Sequence, residues 1–148
     1  MLVSDIMNRN VISISPGEQT LAAAKLLSKY DIGSLPVCDE DYTVRGVVTD
    51  RDIVIRCVAA GKDPKETPVN EIMTRRVVSV NPNASIRKAA ALMSSEQIRR
   101  LPVVKDDKLI GILALGDIAK NEACDMEAAG ALTEISMNIK RLNHSSDR

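Results

Sequence analysis

The chain has 148 residues, and its 20 basic and 20 acidic side chains give a formal net charge of zero. That balance, with two tyrosines as the only aromatic residues, argues against nucleic acid as a partner, because neither a basic surface nor stacking platforms for bases are expected. Apolar residues make up 45% of the chain, enough for a core, yet no run reaches the roughly 18 residues that cross a bilayer, so no membrane partner is expected.

The N-terminal sequence and the cysteines indicate the cellular compartment of the protein. The opening MLVSDIMNRN lacks a basic region followed by an apolar one, so no signal peptide is predicted. Cys38, Cys57 and Cys124 are widely spaced and odd in number, which fits reduced thiols in the cytoplasm. No Cys/His cluster has metal-ligand spacing, and the single histidine, His144, lies in the tail, so no metal site is predicted.

The first predicted elements are a strand, a helix and a hairpin. The strand comprises Val11, Ile12 and Ile14 and is ended by Pro16. Helical spacing of apolar and small residues follows at Thr20, Ala23, Ala24, Leu27 and Tyr30. The runs LPVCD and RGVVTD, joined by an acidic turn, predict a hairpin. A second helix is predicted from Asp50 to Gly61.

The chain then repeats itself. DIMNRNVISISP, which starts at Asp5, aligns with EIMTRRVVSVNP, which starts at Glu71, and IGSLPV aligns with IRRLPV. The second repeat again predicts a helix, with one face comprising Ile86, Ala89, Ala90 and Met93. We therefore predict units at residues 1–62 and 71–122 and a linker at 63–70.

A tail at residues 123–148 follows the second unit. Its apolar positions step by four and three residues along a predicted helix, at Ala128, Leu132, Ile135, Ile139 and Leu142. Packing on its own domain and contact with a second copy of the chain both fit this pattern. The end, NHSSDR, is predicted to fray.

The predicted fold class is mixed α/β (α+β), with β-α-β-β-α occurring twice. A sheet this small, covered by helices on one face, cannot bury both faces alone. We expect the two units to pack sheet to sheet.

The junction GVVTDRDI, at the end of the hairpin, carries the main candidate site. Thr49 and Asp52 are three residues apart where a strand ends and a helix begins. One interpretation is a helix cap, with Thr49 or Asp50 capping and Asp52 in the first turn. The other is a ligand site, because a hydroxyl and a carboxylate together match the two hydroxyls of a ribose.

The tandem units, each with LPV before a hairpin, resemble cystathionine β-synthase (CBS) domains. The first carries Gly46-x-x-Thr49-x-x-Asp52 at the strand–helix junction. The resemblance covers the chain from Met1 to about Lys120 and implies a pair related by a pseudo-twofold axis. It also implies two clefts between the units for adenosine-containing ligands, with Thr49 and Asp52 holding the ribose.

The residues that the resemblance assigns to the two clefts differ between the repeats. Arg99 and Arg100, with Arg51, would hold the ligand phosphate in the cleft of Asp52. Val77, Val78 and Ser79 would lie against the base, although plain strand core explains them equally well.

In the second repeat, Ala114 replaces the hydroxyl beside Asp117, and Gly116 replaces Arg51. We expect that second cleft to be degenerate; its residues are Asp117, Val11, Ser13, Gly33 and Ser34.

These features predict a regulatory module, not an enzyme, that senses AMP, ADP, ATP or S-adenosylmethionine in one competent cleft, with no obligatory cofactor. The signal would pass to a homodimer, joined through the helix faces after Asp52 and Asp117, or to an unidentified protein target. The alternative is a ligand-free scaffold or protein-interaction module with degenerate clefts. No nucleophile–base pair, metal cluster or glycine-rich phosphate loop supports an enzyme.

Overall fold

The computed structural model describes residues 1–121 and combines helices with two small antiparallel sheets, which confirms the mixed fold class. The helices are α1 Val3–Ile6, α2 Thr20–Tyr30, α3 Asp50–Asp52, the π-helix Ile53–Val58, α4 Val69–Ile72, α5 Ile86–Glu96 and α6 Leu115–Ala119. The strands are β1 Ser34–Cys38, which pairs with β2 Val44–Thr49, and β3 Arg100–Lys105, which pairs with β4 Lys108–Ala114. None of the helices within residues 1–121 is both long and apolar enough to cross a membrane.

Contacts divide the chain into two compact units. The first-repeat body contains Val11–Val77 and Asp106–Leu109. Within the described residues, the second-repeat body contains Met1–Asn10, Val78–Lys105 and residues 110–121. The predicted helical tail at 123–148, with His144 and Cys124, lies outside the described residues.

Backbone hydrogen bonds hold the N-terminus in the second-repeat body. The Val3 N–H donates to the Ala84 carbonyl at 2.9 Å, and the Asn8 N–H donates to the Ile112 carbonyl at 2.8 Å. The first residues of the chain are therefore part of the body built on the second repeat.

The predicted first strand is reduced to a single bridge, which corrects the expectation for residues 11–14. Ile14 donates its N–H to the Pro36 carbonyl and accepts from the Cys38 N–H, both at 3.0 Å, in a parallel bridge to β1. Extending the ladder in one direction would need an N–H on Pro36, and in the other an N–H on Pro16. Proline has none, so pairing stops after one residue.

The second repeat has the same arrangement. Val80 donates to the Pro102 carbonyl at 3.0 Å and accepts from the Val104 N–H at 2.9 Å. Pro82 and Pro102 block the two extensions as Pro16 and Pro36 do. Two prolines per repeat therefore leave the preceding residues outside any ladder.

The helix faces follow the predicted spacing, except that on α2 Ala24 is only half-buried and Tyr30 is exposed. On α5, Ile86, Ala89, Ala90 and Met93 are all buried, as predicted. On α2, Tyr30 was expected on the inward face and is instead 43% exposed. The helix ends at Tyr30, and the left-handed backbone of Asp31 (φ 51°) turns the chain away.

A close crossing of two segments depends on one glycine in each repeat. Val47 and Thr74 form an antiparallel bridge, which brings the residues after α4 against β2 beside Gly46. A Cβ at Gly46 would lie 2.7 Å from the Thr74 carbonyl oxygen and 2.9 Å from the Met73 sulfur. Gly111 has the same relation to Met7 in the second-repeat body, with a Cβ-to-sulfur distance of 2.7 Å.

We expect Gly46→Ala to lower the free energy of unfolding by about 2 kcal/mol, because a backbone oxygen cannot move aside as a flexible side chain can. The matched control is Gly116→Ala, where no atom lies within 4 Å of the added carbon. Urea denaturation of both variants measures the difference. Equal stability of the two variants would contradict the close-crossing interpretation.

Candidate functional site

Thr49 and Asp52 form a reciprocal cap at the junction of β2 and α3. The Thr49 hydroxyl oxygen accepts from the Asp52 N–H at 3.0 Å, and Asp52 Oδ2 accepts from the Thr49 N–H at 3.0 Å. Each group satisfies a backbone donor that the first helical turn would leave unpaired. The helix-cap interpretation of this sequence is confirmed, and the ribose role stays a prediction alongside it.

Two further residues hold the Asp52 carboxylate. The Thr74 hydroxyl contacts Oδ1 at 3.1 Å and Oδ2 at 3.2 Å, and Arg56 Nε lies 3.8 Å from Oδ1. The Asp52 residue is only 6% exposed. Neither partner was among the predicted site residues, although the four-residue spacing from Asp52 to Arg56 on a helix could have indicated that pair.

Arg56 also ties this carboxylate to the end of α4. Its Nη1 donates to the Met73 carbonyl at 3.0 Å and lies 3.4 Å from the Ile72 carbonyl oxygen. One guanidinium therefore spans a helix start and a helix end within the first-repeat body. This geometry follows from the close crossing at Gly46.

The carboxylate keeps capacity for additional donors. A carboxylate has about four acceptor positions. Oδ2 accepts from the Thr49 N–H, and the single Thr74 proton is shared between the two oxygens. The Thr49 hydroxyl, which serves as an acceptor here, still has its own proton to donate. A hydroxyl-bearing ligand could therefore both donate to Asp52 and accept from Thr49.

The second repeat keeps only half of this network. Asp117 Oδ2 accepts from the Ala114 N–H at 3.0 Å, but Ala114 has no hydroxyl to return a bond. Asn8 occupies the place of Thr74, and its side-chain oxygen accepts from the Asn10 N–H at 2.9 Å. Asn121 occupies the place of Arg56. Asp117 is therefore present in the second repeat, but the side chains that orient Asp52 are replaced there.

The residues before LPV differ in charge between the repeats. In the first-repeat body the Asp50 N–H donates to the Gly33 carbonyl at 3.0 Å. The Asp50 carboxylate lies 3.4 Å from where a Gly33 Cβ would stand, so Gly33 and Ser34 are next to a negative charge. An anion would be repelled there.

In the second-repeat body, Leu115 takes the place of Asp50, and its N–H donates to the Arg99 carbonyl at 2.8 Å. Neither Arg99 nor Arg100 forms an ion pair within residues 1–121. Their positive charges are thus not neutralised by a carboxylate in that part of the chain. Arg51, the third predicted phosphate residue, lies exposed on α3.

The predicted base residues lie outside the β-ladders. Val77 and Val78 are half-buried, Ser79 is exposed, and their backbone groups make no hydrogen bond within the described residues. Val11 and Ser13, assigned to the second cleft, are also half-buried. The proline-limited bridge at Val80 therefore leaves backbone donors and acceptors available at the predicted base residues.

The thiols of the described residues suit packing better than catalysis. Burial, followed by the neighbouring Asp39 carboxylate, raises the pKa of the Cys38 thiol to about 11. Cys57 is fully buried, and its sulfur contacts the Lys62 carbonyl oxygen at 3.5 Å. A nucleophilic cysteine needs a lowered pKa and access. Within residues 1–121, no three His, Cys, Asp or Glu side chains are grouped so that they could hold a metal ion.

Comparison with known proteins gives consistent matches along both repeats. The sequence model of the CBS domain matches residues 3–58 and again residues 69–123. CBS domain-containing protein YhcV of Bacillus subtilis (strain 168) is 43% identical over 134 residues, which cover 90% of this chain and 94% of that protein.

Two solved structures with bound ligands are similar in fold and sequence. The CBS domain pair of protein MJ0100, in complex with 5-methylthioadenosine and S-adenosyl-L-methionine, is 32% identical with a TM-score of 0.70, covering 81% of this chain and 98% of that one. CBSX2 in complex with AMP is 31% identical with a TM-score of 0.70, covering 80% and 93%.

A reciprocal exchange tests the cap. We expect Thr49→Ala to lower the free energy of unfolding by about 1 kcal/mol, since the Asp52 N–H loses its acceptor. Ala114→Thr should raise it by up to about 1 kcal/mol, because the Asp117 N–H gains an acceptor. Denaturant titration of the two variants and the wild type measures both changes. A destabilising Ala114→Thr would show that the two junctions are not equivalent.

Proposed function

This chain belongs to the CBS domain family, and we propose that it is a regulatory module that binds an adenosyl ligand through Thr49 and Asp52. The main observation behind the proposal is the environment of the Asp52 carboxylate. Thr49, Thr74 and Arg56 hold it in the first-repeat body, and its oxygens can still accept further hydrogen bonds. The adenosyl ligands bound to the MJ0100 pair and to CBSX2 support this ligand class.

The proposed roles divide the ligand into three parts. Thr49 and Asp52 hold the ribose hydroxyls by donating and accepting hydrogen bonds. The unpaired backbone groups of residues 77–79 contact the base. Arg99 and Arg100, which form no ion pair in residues 1–121, together with Arg51 neutralise the phosphate.

The charge difference between the repeats favours a single competent cleft. The second repeat lacks the hydroxyl at Ala114, and Asp50 places a negative charge beside Gly33. A phosphate-bearing ligand at Asp117 would therefore lose one ribose contact and meet repulsion. We propose that this cleft is degenerate, as its sequence indicates.

Isothermal titration with adenosine, AMP, ATP, S-adenosylmethionine and GTP tests the proposal. We expect an adenosyl ligand to bind the wild type, and Asp52→Asn to lose at least about tenfold in affinity, because the amide nitrogen cannot accept from a ribose hydroxyl. Asp117→Asn is the matched control: it makes the same carboxylate-to-amide change at the equivalent position of the second repeat and should leave the affinity unchanged.

A third variant, Arg100→Ala, tests the proposed phosphate contact independently of the ribose contact. It should weaken AMP and ATP more than adenosine, and equal losses for all three ligands would remove the phosphate role. If no ligand binds the wild type, the chain is better explained as a scaffold or protein-interaction module.

We further propose a homodimer formed through the π-helix. Val54, Ile55 and Val58 are 55%, 51% and 64% exposed, while Cys57 on the same helix is buried. Exposed apolar side chains grouped on one helix are typical of an interface. A second copy of the same helix provides a self-complementary apolar surface under twofold symmetry.

Sedimentation equilibrium tests this interface. We expect about twice the 16.1 kDa chain mass for the wild type and the chain mass for Ile55→Asp, because a buried unpaired carboxylate strongly opposes association. Tyr42→Asp is the control: Tyr42 is 60% exposed and lies in the first hairpin turn, away from the π-helix. A monomeric wild type, or dissociation by both variants, would reject this dimer.

A further inference from the structure

The first-repeat body contains a cavity of about 580 Å³ next to the Asp52 network. Its lining includes three cations, Arg56, Lys62 and Arg75, and a single carboxylate, Glu71. Thr74 also lines it. Two of these residues, Arg56 and Thr74, contact the Asp52 carboxylate directly. The cavity is therefore connected through side chains to the proposed ribose site.

Two of the three cations of this cavity are only weakly neutralised, and the third, Arg56, lies 3.8 Å from the Asp52 carboxylate. Lys62 pairs with Glu71 at 3.7 Å, with side chains 44% and 52% exposed. Ion pairs at that exposure contribute little to stability, so Lys62 can leave Glu71 for another anion at a small cost in free energy. Arg75 forms no ion pair within residues 1–121, and its one hydrogen bond there goes to the Asn70 carbonyl at 3.4 Å. The cavity thus retains net positive charge.

Donors remain available on both arginines. A guanidinium has five N–H groups. Nη1 of Arg56 contacts the Ile72 and Met73 carbonyls, and Nη2 of Arg75 contacts Asn70. The other N–H groups of these side chains, together with the Lys62 ammonium, can donate to one anion. Planar guanidiniums combined with an ammonium are the groups that bind phosphate oxygens.

The second repeat shows that the shared fold does not require this set of charges. Arg9 corresponds to Arg75, but Asn8 and Asn121 replace Thr74 and Arg56. The acidic position equivalent to Glu71 is Asp5, whose carboxylate accepts from the Leu2 N–H at 2.8 Å. Arg75 thus recurs as Arg9, whereas Arg56 has an uncharged counterpart, so the shared fold does not require the Arg56 guanidinium.

We propose that this cavity binds a phosphate-class anion through Arg75, Lys62 and Arg56. The chemistry fits either a free inorganic phosphate or pyrophosphate, or the phosphate end of a nucleotide, in which case these cations bind it in place of Arg99, Arg100 and Arg51. Arg56 also lies beside Asp52, the carboxylate proposed to hold the ribose. An anion that binds this guanidinium therefore changes the electrostatic environment of that carboxylate. The anion site stands on the cavity and its charges and does not depend on the adenosyl proposal.

Titration with inorganic pyrophosphate at low ionic strength tests the site. We expect binding to the wild type, about tenfold weaker binding to Arg75→Ala, and unchanged binding to Arg9→Ala. The two variants lose the same charge at equivalent positions of the two repeats, and both side chains are exposed, so folding is not at risk. No pyrophosphate binding to the wild type, or equal weakening by both variants, would overturn the proposal.

Competition identifies the source of the anion. If pyrophosphate displaces AMP and Arg75→Ala weakens AMP but not adenosine, the cavity takes the phosphate of the nucleotide. If AMP and pyrophosphate bind together, it takes a free anion. Asp52→Asn separates the two proposals: the adenosyl proposal fails if adenosine binds the wild type and this variant equally, while the pyrophosphate result decides the anion site alone.

Discussion

The Asp52 carboxylate is the interaction on which the first-repeat body depends. It caps the start of α3 together with Thr49, receives the Thr74 hydroxyl from a segment 22 residues away, and lies beside Arg56. One nearly buried charge therefore connects the end of β2, the start of a helix and the residues after α4. A carboxylate in such a position needs hydrogen-bond donors, and the Thr49 N–H, the Thr74 hydroxyl and the nearby Arg56 guanidinium provide them while leaving part of its acceptor capacity open.

The duplication provides an internal comparison for this network. Gly46 and Gly111 both allow a methionine-bearing segment to cross a strand, so the crossing belongs to the fold itself. The hydroxyl of Thr49 and the guanidinium of Arg56 occur in one repeat only. The shared architecture therefore does not require these two side chains, which makes them candidates for binding chemistry.

Proline has a similar structural role in both repeats. Pro16 and Pro36 confine the pairing of Ile14 to a single bridge, and Pro82 and Pro102 do the same for Val80. The residues just before each bridge keep backbone donors and acceptors outside any ladder. The prolines therefore have two effects. They shorten the expected strand, and they leave main-chain groups unpaired at the predicted base positions.

The duplication, the mixed fold class, the α5 core face and the junction of Thr49 and Asp52 could be predicted before the structure, because periodicity and capping are local properties of the chain. The sequence overestimated the first strand, since the ladder ends through prolines on two different segments, and it placed Tyr30 inward because a helical pattern does not show where the helix stops. Only the tertiary structure brought Thr74 to Asp52 and grouped Arg75 with Lys62. Those contacts depend on the close crossing at Gly46, which joins residues distant in sequence and has no local signal.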